Sequence, residues 1–113
     1  MRIYLLDRKN SLFEQTLNHL QRENPALSVT YFTQDRHFLE AVRTRPPDQC
    51  FIRVGEPGIH GLWTAEKVKE ETINTRMILV SEEEHYALRA FEIGVDDYWL
   101  EPLVKEKLEQ AFP

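Results

Sequence analysis

Short segments rich in apolar and β-prone residues alternate with amphipathic helical patterns five times along this chain of 113 residues. The segments cover residues 3–6, 27–32, 50–54, 77–80 and 95–100, and each has the length of a single strand; residues 3–6 and 77–80 are continuous apolar runs, whereas residues 27–32 alternate loosely. After each segment, apolar residues recur at helical spacing. Parallel strands need long crossover connections, so a strict strand–helix alternation places helices on both faces of one parallel sheet. The pattern predicts a three-layer α/β/α domain with five parallel strands and five helices.

Capping and breaking residues mark the ends of the helical patterns. The residues that we expect to begin the five helices are Ser11, Thr33 or Asp35, Gly61, Ser81 and Val104. Gly94 follows the fourth pattern and is suited to a left-handed C-cap. The chain length allows one domain over residues 1–113 and no second.

Composition narrows the classes of function. The net charge of −5 and the pI of about 5.4 argue against direct contact with nucleic acid. Cys50 is the only cysteine, so an internal disulfide is impossible and a cytoplasmic location is expected. The apolar start of the chain is too short for a membrane span.

The predicted topology gathers certain side chains at one edge of the sheet. Ligands of open α/β sheets bind outside the carboxyl ends of the strands. The polar residues expected there are Asp7, Arg8, Arg53, Ser81 and Glu101. Arg53 is the unexpected one, because it puts a permanent cation at the end of a strand that should be buried.

Two segments carry a resemblance to a known family. Residues 51–58 read FIRVGEPG, and residues 86–102 read YALRAFEIGVDDYWLEP. Both resemble response-regulator receiver domains, and the second segment is especially similar to receivers of the LytTR class. The similarity covers the whole chain and implies a flavodoxin-like, chemotaxis-regulator-like fold with strand order 2-1-3-4-5.

The chain departs from the family at the residues that carry its chemistry. Receivers bind Mg²⁺ with two acidic residues after strand one and accept a phosphoryl group on an aspartate after strand three. By resemblance, Asp7 keeps the first acid, Arg8 replaces the second and Arg53 replaces the phosphoacceptor. Ser81 keeps the hydroxyl that reads the phosphate, and Glu101 replaces the lysine. The resemblance thus implies a degenerate pseudo-receiver.

The charges of these substitutions are matched. Asp7 and Glu101 carry −2 and the two arginines carry +2, so we expect a pocket that is neutral without metal. Mg²⁺ prefers anionic oxygen ligands, and arginine offers neither such a ligand nor a nucleophile. We therefore expect no Mg²⁺ cofactor. We predict an ion pair between Arg53 and Glu101, with Asp7 as the second acceptor.

Several residues also have simpler interpretations. Ser81 and Glu84 have the spacing of a capping box, which we favour about two to one over a role in phosphate reading. Tyr98 occupies the family's switch-aromatic position, yet without a phosphate we expect it to be packed or at an interface. Pro102 keeps the family's cis-proline position. Trp63 is as suited to core filling as to an exposed contact, and the four histidines lack the spacing of a metal site.

The favoured function is a non-enzymatic signalling module that works through protein contacts, independent of aspartyl phosphorylation. The resemblance implies a transcriptional regulator with a DNA-binding domain, LytTR-like, after this segment, or a separate partner protein. It also implies a homodimer through the fourth helix, fifth strand and fifth helix, with paired charges at His85, Arg89, Glu92, Asp96, Asp97, Lys105 and Glu109. Two alternatives stay open: a stand-alone adaptor, and a receiver phosphorylated at another residue such as Ser81 or Glu56.

Overall fold

Five strands form one sheet in a computed structural model that describes residues 1–101 and 103–112. They are β1 (Arg2–Leu6), β2 (Ser28–Phe32), β3 (Gln49–Arg53), β4 (Arg76–Ser81) and β5 (Asp97–Leu100). All neighbouring pairs are parallel, and the order is β2-β1-β3-β4-β5. The predicted flavodoxin-like topology is confirmed, with strand bounds within two residues of those expected.

Five helices connect and flank the strands, as predicted. They are α1 (Leu12–Glu23), α2 (Asp35–Thr44), α3 (Gly61–Glu71), α4 (Ala87–Ile93) and α5 (Val104–Ala111). A single 3₁₀ turn, Glu84–Tyr86, precedes α4. No helix in the described ranges is both long enough and apolar enough to cross a bilayer.

The sheet divides the hydrophobic core into two layers. On one face, β-strand side chains pack with buried residues of α2, α3 and α4, among them Phe38, Val68 and Ala90. On the other face they pack with α1 and α5, where Phe51 lies between Phe13 and Trp99 at ring-centroid distances of 4.8 and 5.4 Å. Burial on both faces explains why the central strands β1, β3 and β4 are the most continuously apolar.

Some predicted helix ends are confirmed and others are wrong. The Ser11 hydroxyl accepts a hydrogen bond from the Glu14 amide at 3.0 Å, and Gly94 has the left-handed φ of 102° expected of a C-cap. Neither Thr33 nor Asp35 caps α2, because its N-cap is Gln34. The Asp35 carboxylate instead accepts hydrogen bonds from residues at the start of α3, including the Thr64 hydroxyl at 2.6 Å. A long-range contact therefore displaces the local cap.

The fourth helix begins later than predicted. Ser81 is the last residue of β4, and α4 starts at Ala87 after the 3₁₀ turn. The predicted capping box of Ser81 and Glu84 is therefore wrong, because the backbone at Ser81 is extended in the sheet. The same placement leaves Ser81 at the carboxyl end of β4, beside β3 and β5.

Gly61 allows α3 to pack directly behind the end of β3. A Cβ at this position would collide with the carbonyl oxygen of Arg53 and touch the Val54 side chain. Gly58, in the same loop, has open space around it, although its φ is 87°.

We expect Gly61→Ala to destabilise the domain by about 1–3 kcal/mol or more, because a fixed backbone atom occupies the space of the new methyl. Gly58→Ala is the matched control and should cost only about 1 kcal/mol, from left-handed strain alone. Urea denaturation of both variants measures the difference. Equal losses would contradict the close approach of α3 to β3.

Candidate functional site

Arg53 is the last residue of β3 and lies at the centre of the predicted site. Its side chain is 3% exposed and contacts two carboxylates. Nε donates to Asp7 Oδ1 at 2.9 Å and Nη2 donates to Asp7 Oδ2 at 3.0 Å, so this pair is bidentate. Nη2 also donates to Glu101 Oε1 at 2.9 Å. We call Asp7, Arg53 and Glu101 the arginine triad.

The triad contains the predicted Arg53–Glu101 contact but reverses the expected order of the partners. Asp7 receives two hydrogen bonds and its side chain is 2% exposed, whereas Glu101 receives one and is 15% exposed. Burial by itself would lower the pKa of Arg53, but the hydrogen bonds and charges of Asp7 and Glu101 raise the pKa overall. Arg53 is therefore a permanent buried cation.

Arg8 does not join the triad. Its side chain is 43% exposed, and Nη1 contacts Glu56 Oε2 at 3.2 Å. The expected neutral pocket is therefore wrong: one cation and two carboxylates give the triad −1, and the Arg8–Glu56 pair adds zero. Sequence reasoning did not predict the ion pair between Arg8 and Glu56, because the path of the loop after β3 decides which side chain faces Arg8.

Ser81 lies within the same group of strand ends. Its side chain is fully buried, and its Oγ accepts a hydrogen bond from the Glu83 amide at 3.0 Å. The hydroxyl thus holds the connection that follows β4. The strand ends bring Asp7, Arg53, Ser81 and Glu101 together, while Arg8 lies at the rim.

Comparison with known proteins identifies the family. The model of the response regulator receiver domain matches residues 3–112. The chain belongs to this family. As a receiver, it is the signalling domain of a response regulator in two-component signalling.

Individual relatives are distant. The sensory transduction protein LytT of Oceanobacillus iheyensis is 28% identical over 100 residues, covering 87% of this chain and 41% of that protein. An uncharacterized response regulatory protein of Yersinia pestis is 27% identical over 111 residues, covering 98% and 46%. The receiver therefore spans less than half the length of these relatives.

Solved structures with a similar fold include other receivers. A receiver domain protein of Methanospirillum hungatei has a TM-score of 0.83 at 18% identity and covers 97% of this chain and 89% of that one. The response regulator domain of Thermotoga maritima CheB has a TM-score of 0.77 at 21% identity, covering 97% and 92%. At these identities the likeness concerns the fold.

The residues of this receiver do not fit Mg²⁺. Both oxygens of the Asp7 carboxylate already accept hydrogen bonds from Arg53, and the neighbouring Arg8 has no oxygen ligand to offer. Across residues 1–101 and 103–112, no three acidic, histidine or cysteine side chains form a cluster that could hold a metal ion. The guanidinium of Arg53 occupies the side of Asp7 that a cation would need.

Tyr98 is packed against the core on the α2–α3–α4 side of the sheet. Its hydroxyl donates a hydrogen bond to the carbonyl oxygen of Glu83, and burial raises the pKa of its phenol. The residue is half-buried, as expected for a packed aromatic. Pro102, expected to keep the cis-proline position, lies outside the described residues.

The predicted dimer face is only partly free for a partner. Arg89 contacts Glu66 of α3, Asp96 Oδ2 accepts from the Met77 amide at 2.7 Å, and Asp97 Oδ2 accepts from Trp99 Nε1 at 2.9 Å. Glu92, Lys105 and Glu109 are exposed and have no side-chain partner in the part of the chain that the structure describes, whereas the exposed His85 contacts Glu83, two residues earlier, at 3.0 Å.

Sequence reasoning overlooked two apolar residues on this face. Leu88 is 75% exposed and Phe91 is 52% exposed, both on α4. The signal was their spacing of three residues, on a helix whose buried residue is Ala90. Two large apolar side chains on one turn of a surface helix are a stronger contact candidate than charges that already have partners.

The exposure of single side chains decides the role of Trp63 and the reactivity of Cys50. Trp63 is 51% exposed, with Lys67 Nζ 5.7 Å from its ring centroid, so it does not fill the core. Cys50 is buried, and burial raises the pKa of its thiol far above the ordinary value, which makes it unreactive. The four histidines are all exposed, as expected.

We expect Asp7→Asn to cost about 3–5 kcal/mol, because it leaves Arg53 buried with an incomplete counter-charge. Glu101→Gln should cost less, about 1.5–3 kcal/mol, since it weakens one charged hydrogen bond at a partly exposed position. Glu56→Gln, at the exposed rim pair, is the control and should cost about 0–1 kcal/mol.

Urea denaturation at neutral pH gives the three free energies of unfolding. An Asp7→Asn variant as stable as Glu56→Gln would contradict the assignment of Asp7 as the main partner of Arg53.

Proposed function

We propose that this domain is an atypical receiver, or pseudo-receiver, which signals through protein contacts and is not phosphorylated on an aspartate. One observation carries the proposal: Arg53 follows the apolar core of β3, in the loop frame where the family has its phosphoacceptor, and its guanidinium is fixed by two carboxylates. An arginine has no nucleophilic oxygen, so it cannot accept a phosphoryl group as an acyl phosphate.

The surroundings of Arg53 support the same proposal. The raised pKa of Arg53 keeps its guanidinium cationic, and Asp7 is committed to it through both oxygens. Both carboxylates of the triad contact the guanidinium of Arg53, which takes the place of Mg²⁺ as their counter-charge. We infer a signalling domain without catalysis of its own.

The contacts of Ser81 and Glu56 argue against either residue as an alternative phosphoryl acceptor. Ser81 is fully buried, and its oxygen already accepts a hydrogen bond from Glu83. Glu56 has its carboxylate against Arg8 at 3.2 Å. Transfer to either residue would first have to break these contacts.

The lengths of the relatives favour an output domain over a stand-alone adaptor. This receiver covers 41% of the Oceanobacillus LytT and 46% of the Yersinia protein, so those proteins contain further chain. Two structures with a similar fold are described as LuxR-family response regulators, one of them as a DNA-binding response regulator. We propose a C-terminal, LytTR-like DNA-binding domain or a partner protein as the output, in a cytoplasmic transcriptional regulator. The receiver itself, with a net charge of −5, would not contact DNA.

We further propose that the receiver forms a homodimer through α4, β5 and α5. Leu88 and Phe91 are its most exposed large apolar residues on α4, and burying them would contribute more than the surface charges nearby. The exposed charges His85, Glu92, Lys105 and Glu109 would then form the rim of this interface.

Incubation with a small phosphodonor and Mg²⁺ should leave the intact mass of the domain unchanged, because Arg53, in the family's acceptor position, has no nucleophilic oxygen. The matched control restores the family's residues with Arg8→Asp, Arg53→Asp and Glu101→Lys in one variant, which should gain the mass of one phosphoryl group. A stable phosphoryl adduct on the unaltered domain would refute the proposal.

Leu88→Glu should shift the domain towards the monomer in sedimentation equilibrium, because it places a charge in the centre of the proposed interface. Ile73→Glu is the matched control: Ile73 is 86% exposed in the segment between α3 and β4, outside the proposed α4, β5 and α5 interface. A monomer at all concentrations for the unaltered domain, or equal effects of both variants, would exclude this interface.

A further inference from the structure

A small cavity is lined by Arg53 but not by Asp7 or Glu101. Its volume is about 40 Å³. Its walls come from the loop after β3 and the connection after β4, and the residues that line it are Arg8, Arg53, Val54, Gly55, Glu56, Ser81, Glu82 and Glu83. It therefore lies between the ends of β3 and β4, beside Arg53, and its rim includes exposed residues.

One donor of Arg53 is not used by the triad. Nε and Nη2 contact Asp7 and Glu101, whereas Nη1 is buried and has no hydrogen-bond partner in the part of the chain that the structure describes. A buried charged donor without an acceptor costs about 1–3 kcal/mol or more. Such a donor next to a polar cavity indicates that the cavity holds an acceptor.

We propose that this cavity binds one water molecule, which accepts a hydrogen bond from Arg53 Nη1 and bridges it to the hydroxyl of Ser81. A cavity of this size fits a single water, whose share of liquid volume is about 30 Å³. Ser81 is fully buried, and its oxygen accepts one hydrogen bond, from the Glu83 amide. Its O–H lies within hydrogen-bonding reach of the Tyr98 phenol, and its second lone pair is available to accept a hydrogen bond from the water.

The charges around the cavity favour water over an anion. The triad has a net charge of −1, and the carboxylates of Glu56, Glu82 and Glu83 belong to the residues of the cavity wall. Arg8 is the only other cation there, and Glu56 already pairs with it. An anion would meet net negative charge, whereas a water satisfies Nη1 without adding any.

The bridge would complete a chain of hydrogen bonds from β3 to β5. Ser81 Oγ accepts from the amide of Glu83, and the carbonyl of Glu83 accepts from the hydroxyl of Tyr98. Arg53 thereby becomes a positioning residue: through the water it fixes Ser81, the connection after β4 and the hydroxyl of Tyr98. This link does not depend on dimerisation or on the absence of phosphorylation, so it extends beyond the proposed function.

Gly55 shows that the cavity wall is tight on the side of this connection. A Cβ at Gly55 would lie 3.2 Å from the Tyr86 ring and 3.5 Å from Ser81 Oγ. The loop after β3 therefore packs directly against the residues that the bridge is proposed to hold. A displacement of Ser81 would change the packing around Gly55 as well as the position of Tyr98.

A crystal structure of the unaltered domain at high resolution, grown in sodium bromide, tests the occupant. We expect density for one water within about 3.2 Å of both Arg53 Nη1 and Ser81 Oγ, and no anomalous signal there. An anomalous bromide peak in the cavity, or an empty cavity, would overturn the proposal. This measurement needs no variant, so it decides the matter even if substitutions at Arg53 impair folding.

The link to Tyr98 is tested by NMR with ring-labelled tyrosine. Arg53→Lys keeps the charge but removes Nη1, and it should shift the Tyr98 ring resonances and speed the exchange of its hydroxyl proton. Ser81→Ala should move the same resonances in the same direction. Arg8→Lys makes the same chemical change at the rim and should leave Tyr98 in place. Unaltered Tyr98 resonances in Arg53→Lys, or equal shifts in Arg8→Lys, would refute the coupling.

Discussion

The bidentate contact between Arg53 and Asp7 is the interaction on which the rest of the site depends. It joins the carboxyl ends of β3 and β1, at the centre of the sheet, where both side chains are almost inaccessible to solvent. At an effective dielectric constant of about 20 each close charge pair gains about 4 kcal/mol, but each buried ion also loses several kcal/mol of hydration. The triad therefore fixes geometry more than it adds stability, and removing one partner is costly.

The contact between Arg53 and Asp7 also limits which ligands the Asp7 carboxylate can bind. In receivers, the same strand ends collect acids around a metal and a phosphoryl acceptor. Here, a guanidinium lies among them and uses the oxygens of Asp7 for itself. The change at Arg53 and the change at Glu101 belong together, since the carboxylate at 101 accepts from the same Nη2 that contacts Asp7. The family's fold is retained, and an internal ion pair occupies the strand ends where we propose that the acceptor chemistry is lost.

On the predicted dimer face, exposed apolar side chains are better candidates for contact with a partner than the charges are. The charges expected at the dimer face include Arg89 and Asp97, which have contacts within the domain. Leu88 and Phe91 are left exposed on α4. The connection after β4 joins Ser81 to α4 and, through the carbonyl of Glu83, contacts the hydroxyl of Tyr98.

The sequence by itself determined the fold, because periodicity, caps and turns act locally: the five strand segments, the cap at Ser11 and the glycine at 94 are all in the structure. It also predicted that Arg53 would meet Glu101 and Asp7, since parallel strand ends meet at one edge. Only the tertiary structure decided that Asp7 is the main partner, that Arg8 turns out to Glu56, and that Ser81 stays in β4. These outcomes depend on loop paths and on contacts between residues far apart in sequence, which no local pattern encodes.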